Sequence, residues 1–342
     1  MHTLPHAITA LLVALMLTAQ PGPAAAWGPE GHQDVGAIAD QLIAGTPTAK
    51  KVRQILGGTL QTAAVWADCA RGVEGSTGQW AYPKPGVYKD CAIYENPASK
   101  AAMVAFVDRN ASRCGFRVSS TQCRHKAYHF VDLPLAHTHY DPALPGTAPN
   151  DLVHATGAAI SVLKGAKSAA PFNIQGQREA LRLLTHYVGD LHQPLHVGAI
   201  YLDDAGASLD PANPKDAHDH GNAGGNQISI EGRNLHALWD DIPAKMHKDL
   251  LGGAGRAQAR QVATQAGNPD QWPTEWASDT AAEASKAFEG LTIGGKASTP
   301  QGVAWPATAP EPAYRQAREA LQHQQLLKAG ARLAQLLTTL FP

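Results

Sequence analysis

Histidine and aspartate stand four residues apart at His186–Asp190, within LLTHYVGDLHQPLH, and again at His236–Asp240, within NLHALWD. Four residues make about one helical turn, so each pair projects from one face of a helix. Leu181, Leu184, Val188 and Leu191 recur at helical spacing through the first segment, which places that pair on a helix with an apolar face. Pro194 then ends the helix, and His196 approaches from another direction. Zinc favours imidazole nitrogen and carboxylate oxygen, and the two oxygens of one carboxylate can bridge two ions. A lone pair of this kind is more often polar decoration at the end of a core helix. Here further donors accompany it.

WADCAR places Asp68 and Arg71 three apart, side by side on a helix. In isolation that is a surface ion pair. YHFVD offers His129, an aromatic ring at Phe130 and a carboxylate at Asp132. The start of the chain adds one more source. Met1 to Ala26 is built like a secretory signal, with an apolar run from Ala7 to Leu17 too short to span a bilayer and a small-residue site at Ala24-Ala25-Ala26. Cleavage there leaves Trp27 with a free α-amine, which a metal can deprotonate and take as a ligand together with the first carbonyl oxygen. His32 follows five residues later.

The elements that must position these groups read as mostly helical. Patterns of helical period fall near 32–57, 97–112, 151–166, 176–193, 233–251, 257–265, 276–289 and 312–340, separated by Pro and Gly clusters. Strand signal is confined to NQISIE, Asn226 to Glu231, enough for a small hairpin. Without a fixed-period repeat or a linker-like break in composition, residues 27–342 are expected to form a single all-α domain with at most that hairpin. Residues 203–225 read as a polar loop, whose His218, Asp219 and His220 are a poor preorganised cage. A 44% hydrophobic content suffices for a substantial core. Net charge is −1 and there is no run of lysine or arginine, which argues against a clamp that wraps duplex DNA. Cys69, Cys91, Cys114 and Cys123 behind an export signal read as two disulfides, with three connectivities open. A four-cysteine zinc site is the competing reading, disfavoured by the lack of a short Cys-x2-Cys spacing. No segment after the signal is long and apolar enough to be transmembrane.

Taken in order, WGPEGH, WADxxR, YHFVD, HYVGDLHQPLH and GGN followed by NLHxLWD make the chain resemble the tri-zinc, single-strand-specific nucleases of fungi, plants and bacteria. Those enzymes are also 3′-nucleotidases and share a helical fold with zinc-dependent phospholipase C. The resemblance spans nearly all of the mature chain. It implies three zinc ions. Trp27, through its amine and carbonyl, would hold one ion with His32 and Asp190; Asp68, His129, His186 and the second oxygen of Asp190 would hold its close partner. His196, His236 and Asp240 would hold the third. Three ions against the carboxylates of Asp68, Asp190 and Asp240 leave a surplus near +3 that a phosphate can answer.

A hydroxide shared by the paired zincs would attack phosphorus, and the products would carry a 5′-phosphate and a free 3′-hydroxyl. Asp68, Arg71 and Asp190 are thus the expected catalytic residues, with Arg71 holding a non-bridging phosphate oxygen. Phe130 would stack on a nucleobase and Asp132 would accept from its edge, which requires an unstacked base. The expected substrates are RNA, single-stranded DNA and 3′-nucleotides, for a secreted or periplasmic enzyme acting as a monomer. The rival reading is a zinc phospholipase C. The five-residue interval from Trp27 to His32 and the closing Asp240, where the lipases carry Glu, both count against it.

Overall fold

The computed structural model describes residues 27–82, 86, 89–115, 118–299 and 302–342, so the signal expected over 1–26 lies outside the described residues. Fourteen α-helices are described: α1 Pro29–Ile43, α2 Pro47–Leu56, α3 Leu60–Ala63, α4 Trp66–Ala70, α5 Pro97–Asn110, α6 Leu152–Leu163, α7 Gly176–Asp190, α8 Pro194–Val197, α9 Pro214–His220, α10 Leu235–Asp240, α11 Ala244–Leu251, α12 Gly253–Ala259, α13 Trp272–Ala284 and α14 Ala313–Leu340. The mostly helical class expected from periodicity is what the chain adopts. Its boundaries follow local chemistry. The pattern over 32–57 divides because Gly45 takes a left-handed backbone and Thr46 caps a new helix by accepting from the Ala49 amide, with Pro47 behind it. The pattern over 233–251 divides at Pro243, and the helix expected over 257–265 lies earlier, as α12.

Strand content exceeds the single hairpin. Ile228–Ile230 does turn back on Arg233–Asn234, but it also pairs in parallel with Gly302–Thr308, which carries Thr292–Ile293 and Ala297–Thr299 on its antiparallel edges. Those later strands are short and carry no clear alternation of their own, so their pairing is decided by the partner strand. The expected loop over 203–225 also holds structure: Asn213 caps α9 by accepting from the Lys215 and Asp216 amides. His218 and Asp219 there contact each other on the surface.

α7 is the central element. Leu181, Leu183, Leu184 and Val188 are all fully buried, and the helix packs against α1, α2, α3, α4, α6 and α14. α14 lies close along α1 because Gly330 has no side chain there; a Cβ would stand 2.5 Å from Ile38. Two large apolar clusters result, beside a small one of Ala199, Tyr201 and Ala217. One gathers the helices around α7. The other joins Leu195, Leu235 and Trp239 to Ile228 and Trp305 of the sheet and to Tyr314 at the start of α14. The donor residues fall on the seam, with His32, His186 and Asp190 carried by the first unit and His196, His236 and Asp240 by elements of the second.

Both cysteine pairs are disulfides, Cys69–Cys91 and Cys114–Cys123, which settles the connectivity that spacing leaves open and removes the four-cysteine metal reading. The first ties α4, and hence Asp68, to the 3-10 turn Lys89–Tyr94.

Candidate metal centre

The last turn of α7 carries His186 and Asp190 into a buried cleft, α1 brings His32, α4 brings Asp68, the 3-10 turn Arg124–His129 brings His129, and α8 and α10 bring His196, His236 and Asp240. Asp190 stands at the centre. Its Oδ1 is 3.3 Å from His32 Nε2, and its Oδ2 is 3.2 Å from both His129 Nδ1 and His186 Nε2. Asp68 Oδ1 closes the second group at 3.7 Å from His186 and 3.8 Å from His129. Donors about 2.0–2.1 Å from one tetrahedral zinc stand about 3.3 Å apart, so these separations suit an ion at the middle of each group. Both oxygens of Asp190 and both ring nitrogens of His32 are buried without a hydrogen-bond partner, a costly state that a cation would relieve.

The third group makes the point by proton placement. His236 Nδ1 donates to Gly224 O at 2.6 Å, and His196 Nδ1 donates to the carbonyl of His129. Each ring's proton is thereby committed, so the two Nε2 lone pairs face each other at 3.0 Å. Two lone pairs at that distance repel unless a cation lies between them. Asp240 Oδ2, 3.5 Å from His236 Nε2, completes the set. His186 is oriented in the same way, its Nδ1 donating to Ala64 O at 2.7 Å. Fixing the outer nitrogen on a carbonyl is how proteins aim imidazole ligands.

Electrostatics agree. Burial, then neighbouring imidazoles, push His32, His129 and His196 well below their ordinary range, and burial pushes His236 down to about 4. These rings are neutral and available as ligands. Burial pushes Asp190 up to about 7 and Asp240 well above the carboxylate range. Burial would lower His186 too, but the Asp190 and Asp68 carboxylates outweigh it and raise that ring. The cleft thus disfavours its own negative charge. Arg71, whose Nη1 is 3.1 Å from Asp68 Oδ1, is the cation whose field acts on His32, His129, His196, His236 and Asp190 alike.

Trp27 is fully buried, and its Nε1 donates to Gly189 O at 2.9 Å, which anchors this end of the chain against the donor-bearing turn of α7. Gly189 is required there: a Cβ would come within 2.7 Å of His32 Nδ1. Phe130 and Asp132, both half-buried, follow His129 on an extended strip held by hydrogen bonds from the Leu152 amide to Phe130 O and from the Asp132 amide to Gly146 O. Every residue singled out in the sequence as a donor therefore lies in or beside one cleft.

Sequence reasoning missed Gln193. It is fully buried, and its Nε2 donates to Asp240 Oδ1 at 2.9 Å, leaving Oδ2 toward His236. Its place between two donors in DLHQPLH was the available signal. His192 points elsewhere, with Nδ1 donating to Val188 O and Nε2 accepting from Arg332. His125 lies against the Cys114–Cys123 disulfide. Asn234 caps α10 rather than entering the cleft.

A family model described as S1/P1 Nuclease matches residues 116–342, and the chain belongs to the S1/P1 nuclease family. Among curated relatives in Arabidopsis thaliana, Endonuclease 4 is 25% identical over 236 residues, covering 67% of this chain and 58% of that protein. Endonuclease 5 is 24% identical over 241 residues, 68% of this chain and 61% of its own. Endonuclease 3 is 30% identical over 126 residues, 34% of each. The matches thus span less than two thirds of the length of these relatives. Trp27, His32, Asp68 and Arg71 precede the stretch matched by the family model. They join the cleft by geometry.

Proposed function

We propose that the chain is a zinc-dependent nuclease that hydrolyses phosphodiester bonds of RNA and single-stranded DNA to 5′-phosphate products and also removes the phosphate of 3′-nucleotides. The observation that carries this reading is the pair of opposed Nε2 lone pairs of His196 and His236, set beside the partnerless oxygens of Asp190. Such a cleft is organised for cations in one place. The histidine and aspartate donors fall into three groups, which supports a reading of three ions. His32 and Asp190, with the Trp27 amine and carbonyl, would hold one; Asp68, His129, His186 and Asp190 a second; His196, His236 and Asp240 the third. Zinc, when bound, supplies concentrated positive charge toward phosphate and acidifies a water to a near-neutral pKa.

The chain's own groups account for binding and orientation. Arg71, partly exposed, donates to Asp68, from where its guanidinium would hold a non-bridging phosphate oxygen and counter charge that grows during displacement. Phe130 offers a ring face for a base and Asp132 an acceptor for its edge, an arrangement open only to an unstacked base. Export with cleavage before Trp27 belongs to the same proposal, because it supplies the terminal amine. Among the described residues no helix is long and apolar enough to cross a membrane.

The test is a paired hydrolysis assay, with a single-stranded oligonucleotide and with phosphatidylcholine, on protein as purified, after chelation and after zinc is restored. Oligonucleotide cleavage lost on chelation and regained with zinc is expected. Undiminished cleavage in metal-free buffer, or cleavage of the phospholipid alone, would overturn the reading.

A further inference from the structure

Arg182 lies one turn before His186 on α7, but its guanidinium meets none of the donor residues. It rests over the Trp66 ring at 5.6 Å and the Tyr94 ring at 5.2 Å. Among the described residues no carboxylate forms an ion pair with it, and no hydrogen bond engages it. Glu179, the acid nearest to it along α7, is already committed to Arg109 at 2.7 and 2.8 Å and to the Gln175 amide. Burial lowers the pKa of the guanidinium, and the field of the Glu179 carboxylate offsets that only in part.

That charge lines a cavity of about 250 Å3 between the end of α2, the start of α3 and the start of α5. Gly57, Gly58, Ser99 and Ile93, the last 51% exposed, are among its lining residues. Among the described residues no carboxylate lines it. A second cavity of about 410 Å3, lined by Lys51 and Arg178, has none among them either. Contact with two aromatic rings restricts the Arg182 side chain, so less freedom is lost when it binds two oxygens at once.

We propose that the Arg182 cavity is a phosphate-binding site, distinct from the cleft that holds the donor residues, with which it shares no lining residue. A tetrahedral anion with at least two free oxygens fits the fork, with Ser99 as an additional donor. Such a group could belong to a phosphate monoester or to the diester backbone of a longer polyanion, and the cavity leaves room beside the anion for its organic substituent. Because Trp66 is two residues before Asp68, an occupant would bear on the helix that carries Asp68 and Arg71.

The proposal is tested by calorimetric titration of the metal-loaded protein with inorganic phosphate, methyl phosphate and dimethyl phosphate, comparing wild type, Arg182→Lys and Arg182→Met. Wild type should show a binding event that Arg182→Lys weakens about tenfold, since the lysine keeps the charge but loses the fork. Metal content and melting temperature of Arg182→Lys should remain those of wild type, so a folding failure of Arg182→Met leaves the comparison intact. Binding of methyl phosphate but not dimethyl phosphate identifies a monoester site, and comparable binding of both identifies a backbone site. Unchanged titrations in Arg182→Lys, or phosphate found only among the histidine and aspartate donors in a crystal grown with it, would overturn the assignment. Failure of the nuclease reading leaves this outcome unaffected, because the readout is binding at a residue outside that cleft.

Discussion

Asp190→Asn tests whether one carboxylate holds two ions. The substitution keeps the volume of a fully buried side chain and removes one charge and one of two equivalent oxygens. In wild type, Oδ1 faces His32 and Oδ2 faces His129 and His186, so an amide at this position turns its NH2 toward one group and offers the other a neutral oxygen in place of a carboxylate, which weakens both. Each ion held at about one hundred times its dissociation constant contributes about 2.7 kcal/mol to folding. Loss of two ions therefore costs about 5 kcal/mol, a large share of an ordinary domain's stability. For a chain of this length that corresponds to a fall in Tm of roughly 10 °C. The assay is elemental analysis for zinc together with thermal melts, each with and without chelator. The variant should retain one ion of three, on His196, His236 and Asp240, and the gap in Tm should close in chelator because metal-free protein has no bridge to lose. A variant that keeps all three ions, or whose Tm gap survives chelation, would refute the bridging role.

Three other outcomes are expected. Gln193→Leu removes the hydrogen bond to Asp240 Oδ1 and should weaken zinc at the third group about 10- to 100-fold while leaving the other two ions in place; an unchanged affinity in chelator competition would show that Gln193 does not position Asp240. Phe130→Ala should raise KM for a single-stranded oligonucleotide about 5- to 100-fold, the equivalent of losing about 1–3 kcal/mol of base stacking, and a wild-type KM would assign the ring to packing instead. The hydrogen bond that His154 donates to the Asp151 carboxylate raises the pKa of His154, with burial opposing it. The stabilisation from that pair is present in full below the ordinary histidine value of about 6.5 and is lost as pH rises through the raised folded value. Denaturant melts of His154→Gln should therefore show a shallower fall in stability between about pH 6 and 8 than wild type, and identical slopes would dismiss the contribution.

Helical spacing made much of the site legible. His186 with Asp190 and His236 with Asp240 could be read as pairs because a fixed local geometry sets both side chains on one face, whatever surrounds the helix. The extents of α5, α6, α7 and α14 follow the same logic. Gln193 escaped notice because its partner, Asp240, is 47 residues away, and a place between two donors in DLHQPLH does not say which residue it meets. Trp305 and its strand were unreadable for a similar reason: its ladder is completed in parallel by Ile228–Ile230, far earlier in the chain. Arg182 reads as an ordinary helix-face cation until α4 and Tyr94 enclose it.

The sequence by itself determined which chemistry was available: imidazoles and carboxylates at one-turn spacing, a guanidinium three residues after an aspartate, and an aromatic ring next to a histidine. Only tertiary structure decided that these groups converge, since α1, α4, α7, α8 and α10 reach the cleft from far apart in the chain and from two apolar clusters. It also decided how they present themselves. The carbonyls of Ala64, His129 and Gly224 take the outer protons of His186, His196 and His236, and a lone pair is aimed at a shared point only when its ring has a distant acceptor on the other side.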